Sequence, residues 1–333
     1  MKNQISLCYH PTKTVLIDDN QDFLKAIKLE LERDLHCSSF VSPVQALTFF
    51  KQDHKPKPFT ERCFIEPVDE RADHLFFNVD LRQIHQEVYL GDRFNDIAVI
   101  VVDYTMPRMD GLTLSRHIKD LYPHIRIILL TGEADNDLAV QAFNEGIIDK
   151  FIKKGTPELS KLLIETIKIL ERKYFQLLSQ SIIDKLNGVA HKLNRLSDPN
   201  LISFFNQICR EKAIVEYYLI DGNGSFLLID NKGTPAWFVL LNGQDIQEFY
   251  SYALLEKAPM AVIEALKTQQ KLPFFYTEDD LQTPPADWEN YLHPAKPVPQ
   301  AADYYYALIE DASAYHWETA EIISYKTYLD QLA

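Results

Sequence analysis

The 333-residue sequence is poor in cysteine. It has four, Cys8, Cys37, Cys63 and Cys209, and none forms a CxxC pair. Neither a paired-thiolate zinc site nor a disulfide framework is indicated, so reduced thiols in a cytoplasmic protein are expected. Long apolar runs are missing too. The longest, such as Ile97–Val102, are strand-sized and cannot span a bilayer. The opening MKNQISLCYH lacks an apolar signal-peptide core. Internal repeats and low-complexity tracts are absent. Basic charge is scarce toward the C-terminus: residues 198–333 hold 8 Lys+Arg against 20 Asp+Glu, a balance of −12, with Arg210 the single arginine. Nucleic-acid affinity comes largely from basic side chains displacing phosphate counterions, so this segment is poorly built to bind DNA.

The remainder is ordinary globular material, 46% apolar and 25% charged. The length suits two or three domains, each with its own core. Of the net charge of −14, residues 1–197 contribute only −2. Val15–Ile17 is a short run of β-type residues that stops at Asp18 and Asp19. Phe23, Leu24, Ile27 and Leu31 follow at helical spacing, and Ser42-Pro43 opens a second helix to about Gln52. Ile97–Val102 and Arg126–Leu130 read as buried strands, 112–121 and Asp137–Asn144 as helices, and Ile147–Ile152 as a last short strand after Gly146. Buried strands alternating with helices imply a parallel sheet covered on both faces. Residues 54–95 are too long for a simple connection and read as an ordered insertion.

From Glu158 to about Leu186 there is neither Gly nor Pro, which predicts one long helix. Leu163, Ile167, Leu170, Tyr174 and Leu177 follow a 4-3-4-3 spacing. That spacing is open to two readings: a coiled-coil seam joining a homodimer through 158–186, or a helix packed against its own chain. Beyond Asp198, EYYLI, SFLLID and TPAWFVLL alternate with the turns DGNG and NKG as an antiparallel meander. Helices are expected at 244–257, 259–269 and 318–332, a strand at Tyr304–Ile309, and mostly loop across the six prolines of 271–300. Trp237, Trp288 and Trp317 read as core packing in preference to a ligand cage. The predicted domains are therefore 1–156, a helical connector over 157–197, and an α+β domain over 198–333.

Three carboxylates fall at the carboxyl ends of predicted parallel strands: Asp18, Asp19 and Asp103. Sites in open α/β sheets form outside those ends. Three neighbouring acids repel one another unless a cation joins them, and hard oxygen donors suit Mg²⁺. Asp103 could then act as both ligand and nucleophile, attacking a phosphoryl group to give an aspartyl phosphate. Thr131 and Lys153, at the ends of the next strands, offer a hydroxyl and an ammonium to phosphoryl oxygens.

The segments VLIDDN (Val15–Asn20), VVDYTMPRMDGL (Val101–Leu112), LLTGEA (Leu129–Ala134) and GIIDKFIKK (Gly146–Lys154) closely resemble the receiver domain of two-component response regulators. The resemblance covers about residues 12–155 without the insertion. It implies a five-stranded doubly wound sheet and Asp103 as phosphoacceptor. It further implies Mg²⁺ held by Asp18, Asp19, Asp103 and the backbone carbonyl of Thr105, with Thr131 as switch hydroxyl and Lys153 as the phosphate-contacting lysine. The implied partner is a histidine kinase or phosphotransfer protein. Two positions depart from the family pattern: Lys150 stands where an aromatic is usual, and Lys154 where a proline is usual. The insertion and GIIDKFIKK also resemble atypical response regulators of α-hydroxyketone quorum sensing.

Three outputs are compatible with the C-terminal segment: an interaction or sensing module binding a protein or small ligand, a DNA-binding regulator, and an enzyme or nucleotide-binding domain. The acidic, aromatic composition favours the first. Glu264-Ala265-Leu266 spells the signature tripeptide of cyclic-dinucleotide phosphodiesterases, but the other acidic motifs of that domain are absent and no independent enzymatic output is identified. Asp221–Gly224 is a hairpin turn, because the sixth position that a calcium loop reserves for glycine is Phe226.

Overall fold

A computed structural model describes residues 4–54, 64–65, 78–79, 82–132, 136–185, 191–275, 288–301, 303–310 and 322–332. The chain divides into two compact units. One comprises His10–Arg62 and Leu90–Ser181, the other Met1–Tyr9, Cys63–Tyr89 and Ile182–Ala333.

The first unit is a five-stranded parallel sheet: β1 (Lys13–Ile17), β2 (His36–Phe40), β3 (Ile97–Asp103), β4 (Arg126–Thr131) and β5 (Lys150–Lys153), in spatial order β2-β1-β3-β4-β5. Its helices are α1 (Gln21–Leu31), α2 (Pro43–Gln52), α3 (Gly111–Leu121), α4 (Asn136–Asn144) and α5 (Leu159–Lys185). All seven residues of β3 and all six of β4 are buried, as central parallel strands covered on both faces require. Local signals start the helices. The Asn20 side chain accepts from the backbone N–H groups of Asp22 and Phe23, the Ser42 hydroxyl caps α2 with Pro43 in its first turn, and Asp110 accepts from Thr113 N at 2.8 Å.

Two strands differ from expectation. β2, with sequence HCSSF, has no apolar run to announce it, because Ser38 and Ser39 occupy an edge strand that needs little burial. The last strand begins at Lys150, three residues later than the apolar pattern predicts. Ile147 N and Ile148 N both turn back to the carbonyl of Ala142 at the end of α4, with Gly146 at φ 73°, so these isoleucines close the helix and do not open the strand.

The long helix α5 forms as predicted. Leu163 and Ile167 are fully buried and Leu170 and Tyr174 nearly so, all within the single chain. The alternative of a helix packed against its own chain therefore holds, and the 4-3-4-3 stripe is not a free seam for dimerisation. Glu171, also buried, accepts hydrogen bonds from the backbone N–H and hydroxyl of Thr12 at 3.0 and 2.7 Å.

The second unit is built on an antiparallel sheet: Cys8–Tyr9, β6 (Ile214–Leu219), β7 (Phe226–Asp230), β8 (Pro235–Asn242), β9 (Tyr304–Ile309) and Lys296–Pro297, in that order. The meander and the return strand thus form as read. An N-terminal strand of two residues joins β6, too short to carry a pattern. Helix α6 (Pro199–Glu211) is also new. Its signals were an Asp198-Pro199 start and apolar residues at 201, 202, 204, 205 and 208, which are buried. Phe204 and Phe205 meet Phe238, Tyr306, Phe226 and Tyr217 of the sheet with ring centroids 4.8–6.3 Å apart. Helices α7 (Gly243–Leu255), α8 (Met260–Lys267) and α9 (Tyr325–Leu332) complete the unit. Trp237 and Trp288 are core residues, and Leu266 of the EAL tripeptide is buried. Trp317 and most of the insertion lie outside the described residues. Of the insertion, the structure shows the strand pair Phe64–Ile65 and Asn78–Val79 and the helical turns between Arg82 and Asn95.

Burial pushes the Glu171 carboxyl up to about 7, against the opposing hydrogen bonds from Thr12. The folded state therefore holds a proton that the unfolded chain releases near its ordinary value of 4.5. The contribution of this group to stability is greatest at low pH and falls as pH rises from about 4.5 to 7, by up to about 1.4 kcal/mol per pH unit. Glu171→Gln keeps the acceptor without the charge. Denaturant unfolding at pH 5 and pH 8 should show a smaller loss for the variant than for the wild type; equal losses would contradict this assignment.

Candidate functional site

At the carboxyl edge of the parallel sheet, β1 runs directly into Asp18 and Asp19, and β3 ends in Asp103. These strands are neighbours, and the sheet order reverses here, which is where α/β sheets open a crevice. Asp18 and Asp103 are buried at 1% and 4% exposure, whereas Asp19 is exposed. One oxygen from each carboxylate lies within 4.8 Å of the others. Asp18 Oδ1 accepts from Asn20 N at 2.9 Å, so the residue that caps α1 also orients the first carboxylate.

The ammonium in this cluster belongs to Lys154. Its Nζ lies 2.7 Å from Asp18 Oδ2 and 2.9 Å from Asp103 Oδ1, and 5.0 Å from the ring centroid of Phe23. The assignment of Lys153 is thereby corrected. Lys153 is the last residue of β5, opposite Thr131 in register, and its side chain is exposed. Successive side chains of a strand point to opposite sides, so the residue one beyond, whose N–H bonds to the Thr131 carbonyl at 3.0 Å, is the one that reaches the acids. The later start of β5 is the signal that would have found it. Counted from Lys154, the aromatic expected three residues upstream is Phe151, half-buried against the core.

Thr131 is fully buried, and its hydroxyl has no hydrogen-bond partner among the described residues. Thr105 is exposed in the loop two residues beyond Asp103. That loop closes tightly. Tyr104 N donates to the carbonyl of Leu130 and Gly111 N to that of Tyr104, at 2.9 and 2.8 Å. A Cβ at Gly111 would lie 2.1 Å from the backbone oxygen of Asp103, so no other residue fits there without moving the acid.

Burial raises the pKa of Asp103, and the like charges of Asp18 and Asp19 add to this against the hydrogen bond from Lys154. Burial alone would lower the pKa of Lys154, but Asp18 and Asp103 outweigh it and raise it. The lysine stays an ammonium and offsets part of the acid repulsion. Three converging carboxylates are hard oxygen donors, and this donor set fits Mg²⁺.

The second unit holds a polar cleft of about 440 Å³ between the Lys192–Asp198 segment, the start of α7 and Tyr304. Its charges neutralise one another: Arg195 and Lys192 pair with Asp245 at 2.6 and 2.9 Å, and Asp245 completes the capping box of α7. No helix among the described residues is long and apolar enough to cross a membrane.

Comparison with known proteins agrees with this geometry. A profile of the response regulator receiver domain matches residues 76–165. The structure of the response regulator LqsR of Legionella pneumophila superposes with a TM-score of 0.81 at 36% identity, covering 99% of this chain and 98% of that one. The chain belongs to the two-component response regulators. Among curated relatives, the DNA-binding transcriptional regulator NtrC of Proteus hauseri is 30% identical over 166 residues, which are 49% of this chain and 30% of NtrC. The transcriptional regulatory protein FixJ of Rhizobium meliloti is 36% identical over 102 residues, 30% of this chain and 47% of FixJ. The chain spans less than half the length of these curated relatives.

Gly111→Ala should destabilise this response regulator by about 1–3 kcal/mol in denaturant unfolding, because backbone must shift to admit the methyl group. Thr131→Val should be neutral or stabilising by about 1 kcal/mol, since it removes a buried hydroxyl that lacks a partner. Wild-type stability in the alanine variant, or a large loss in the valine variant, would show that these contacts are misplaced.

Proposed function

We propose that Asp103 accepts a phosphoryl group from a histidine kinase or phosphotransfer protein and that this change is passed to the C-terminal unit. The observation carrying the proposal is the convergence of Asp18, Asp19 and Asp103 on one point, with the Lys154 ammonium against Asp18 and Asp103 and a buried Thr131 hydroxyl without a partner at the end of the next strand. A carboxylate oxygen of Asp103 attacks the phosphorus, and the donor's leaving group departs with the electron pair of the broken bond. Lys154, now shared between Asp18 and Asp103, turns to the arriving phosphoryl oxygens. The Thr131 hydroxyl gains there the acceptor it otherwise lacks. Asp18, Asp19 and Asp103, with the Thr105 carbonyl, are the groups that would hold Mg²⁺, which when bound offsets the charge of the phosphoryl oxygens.

For the output we propose an interaction or sensing module. The balance of −12 over residues 198–333 supports it, as does the use of the aromatic residues for the core. NtrC is named as a DNA-binding regulator, but its similarity spans half of this chain at most. A gel-shift titration at physiological salt separates the two: a sequence-specific shift would overturn the interaction reading.

Labelling of the full chain by acetyl phosphate in Mg²⁺ tests the site. Asp103→Asn should abolish it. Lys154→Met should slow it by about tenfold or more, whereas Lys153→Met should leave it near the wild-type rate. Full labelling of the asparagine variant, or equal effects of the two lysine variants, would overturn the assignment.

A further inference from the structure

The two strands that carry Asp18 and Lys154 also hold the long helix, each by its opposite end. Thr12 precedes β1 and Asp18 follows it; Asp149 precedes β5 and Lys154 follows it. Thr12 donates two hydrogen bonds to Glu171 of α5. Asp149 accepts from Lys173 of α5 at 3.0 Å. We propose that Glu171 and Lys173 couple the phosphorylation site to α5 through β1 and β5; this rests on the phosphoacceptor reading above.

The two anchors differ in how freely they can move. β1 is hydrogen-bonded on both sides, by β2 and β3. Its bond to Glu171 is buried, so this anchor acts as the fixed point of the helix. β5 is a four-residue edge strand bonded only to β4 among the described residues. A short hydrogen-bonded strand shifts as one piece, so a new position of Lys154 is passed along β5 to Asp149. Residues two apart on a helix point to different sides. A shift of Asp149 therefore pulls on Lys173 about the point held by Glu171, and turns α5 instead of lifting it off the sheet.

Asp149 is built to survive the loss of one partner. It also meets Arg126 at 3.1 Å and Lys119 at 3.5 Å, and accepts from Ile127 N at 3.0 Å. Removing Lys173, a third exposed, leaves the carboxylate paired and the fold intact. Its effect falls on the coupling.

Amide hydrogen exchange of residues 168–176, measured in the full chain with and without acetyl phosphate and Mg²⁺, tests this. In the wild type, phosphorylation should change exchange there by about fivefold or more. Lys173→Met should be labelled like the wild type yet lose that change, and Lys173→Arg should restore it. A second arm needs no phosphodonor: Lys154→Met should alter exchange of 168–176 in the wild-type background and leave it unchanged in the Lys173→Met background. A wild-type response in Lys173→Met, no rescue by arginine, or no effect of Lys154→Met would each overturn the coupling. A wild-type chain that takes no label would count against the phosphoacceptor reading alone, and the Lys154→Met arm would still decide the coupling.

Discussion

The ammonium of Lys154 between Asp18 and Asp103 is the contact on which the carboxyl edge of the first unit depends. Two buried carboxylates a few ångströms apart, with a third exposed beside them, repel each other and are costly to desolvate. The surrounding structure answers that cost locally. β5 is placed to deliver Lys154, the Asn20 backbone N–H orients Asp18, and Gly111 leaves room for the backbone of Asp103. An edge so arranged holds strong negative charge in a poised form. In the proposed reaction a phosphoryl group adds charge at the edge where the Lys154 ammonium sits and where the buried Thr131 hydroxyl lacks a partner.

Most of this edge was legible in the sequence because strand ends are marked by chemistry. IAVIVVD and VLIDD show a buried run stopping at acids, and a run of that kind has few other structures open to it. The long helix was equally clear, since nothing in 158–186 breaks it. What failed to show were features set by tertiary context. β2 is a polar edge strand whose burial pattern is weak. Ile147 and Ile148 look like the start of a strand but close α4, and this displaced the lysine assignment by one residue. The 4-3-4-3 stripe on α5 fits a coiled coil and a domain-packed helix equally well. Only the burial of Leu163, Ile167, Leu170 and Tyr174 in the single chain separates the two.

The second unit shows the opposite balance between fold and function. Its meander was readable from turn chemistry: Asp221 and Asp230 each accept two backbone N–H groups within the turns they begin. Many of its aromatic residues are spent on packing, Phe204 and Phe205 against the sheet and Tyr252, Phe275 and Trp288 against one another, and Lys192 and Arg195 of its cleft pair with Asp245. Among the described residues, Glu211, Glu248, Glu256, Glu264, Glu289 and Asp303 carry acidity on the surface, whereas Glu216 and Asp245 are buried. The two units divide the net charge of −14 by role. A few acids of the first converge at the carboxyl edge of its sheet, where phosphorylation is proposed, and most of the excess lies in the second.

In the proposed reaction one carboxylate of the three, that of Asp103, carries the phosphoryl group. Borohydride reduction of the phosphorylated full chain, followed by peptide mass spectrometry, reads this directly, because an aspartyl phosphate is reduced to homoserine where it formed. Homoserine is expected in place of Asp103, with intact aspartate at Asp18 and Asp19. Homoserine at Asp18 or Asp19, with Asp103 unaltered, would contradict this assignment.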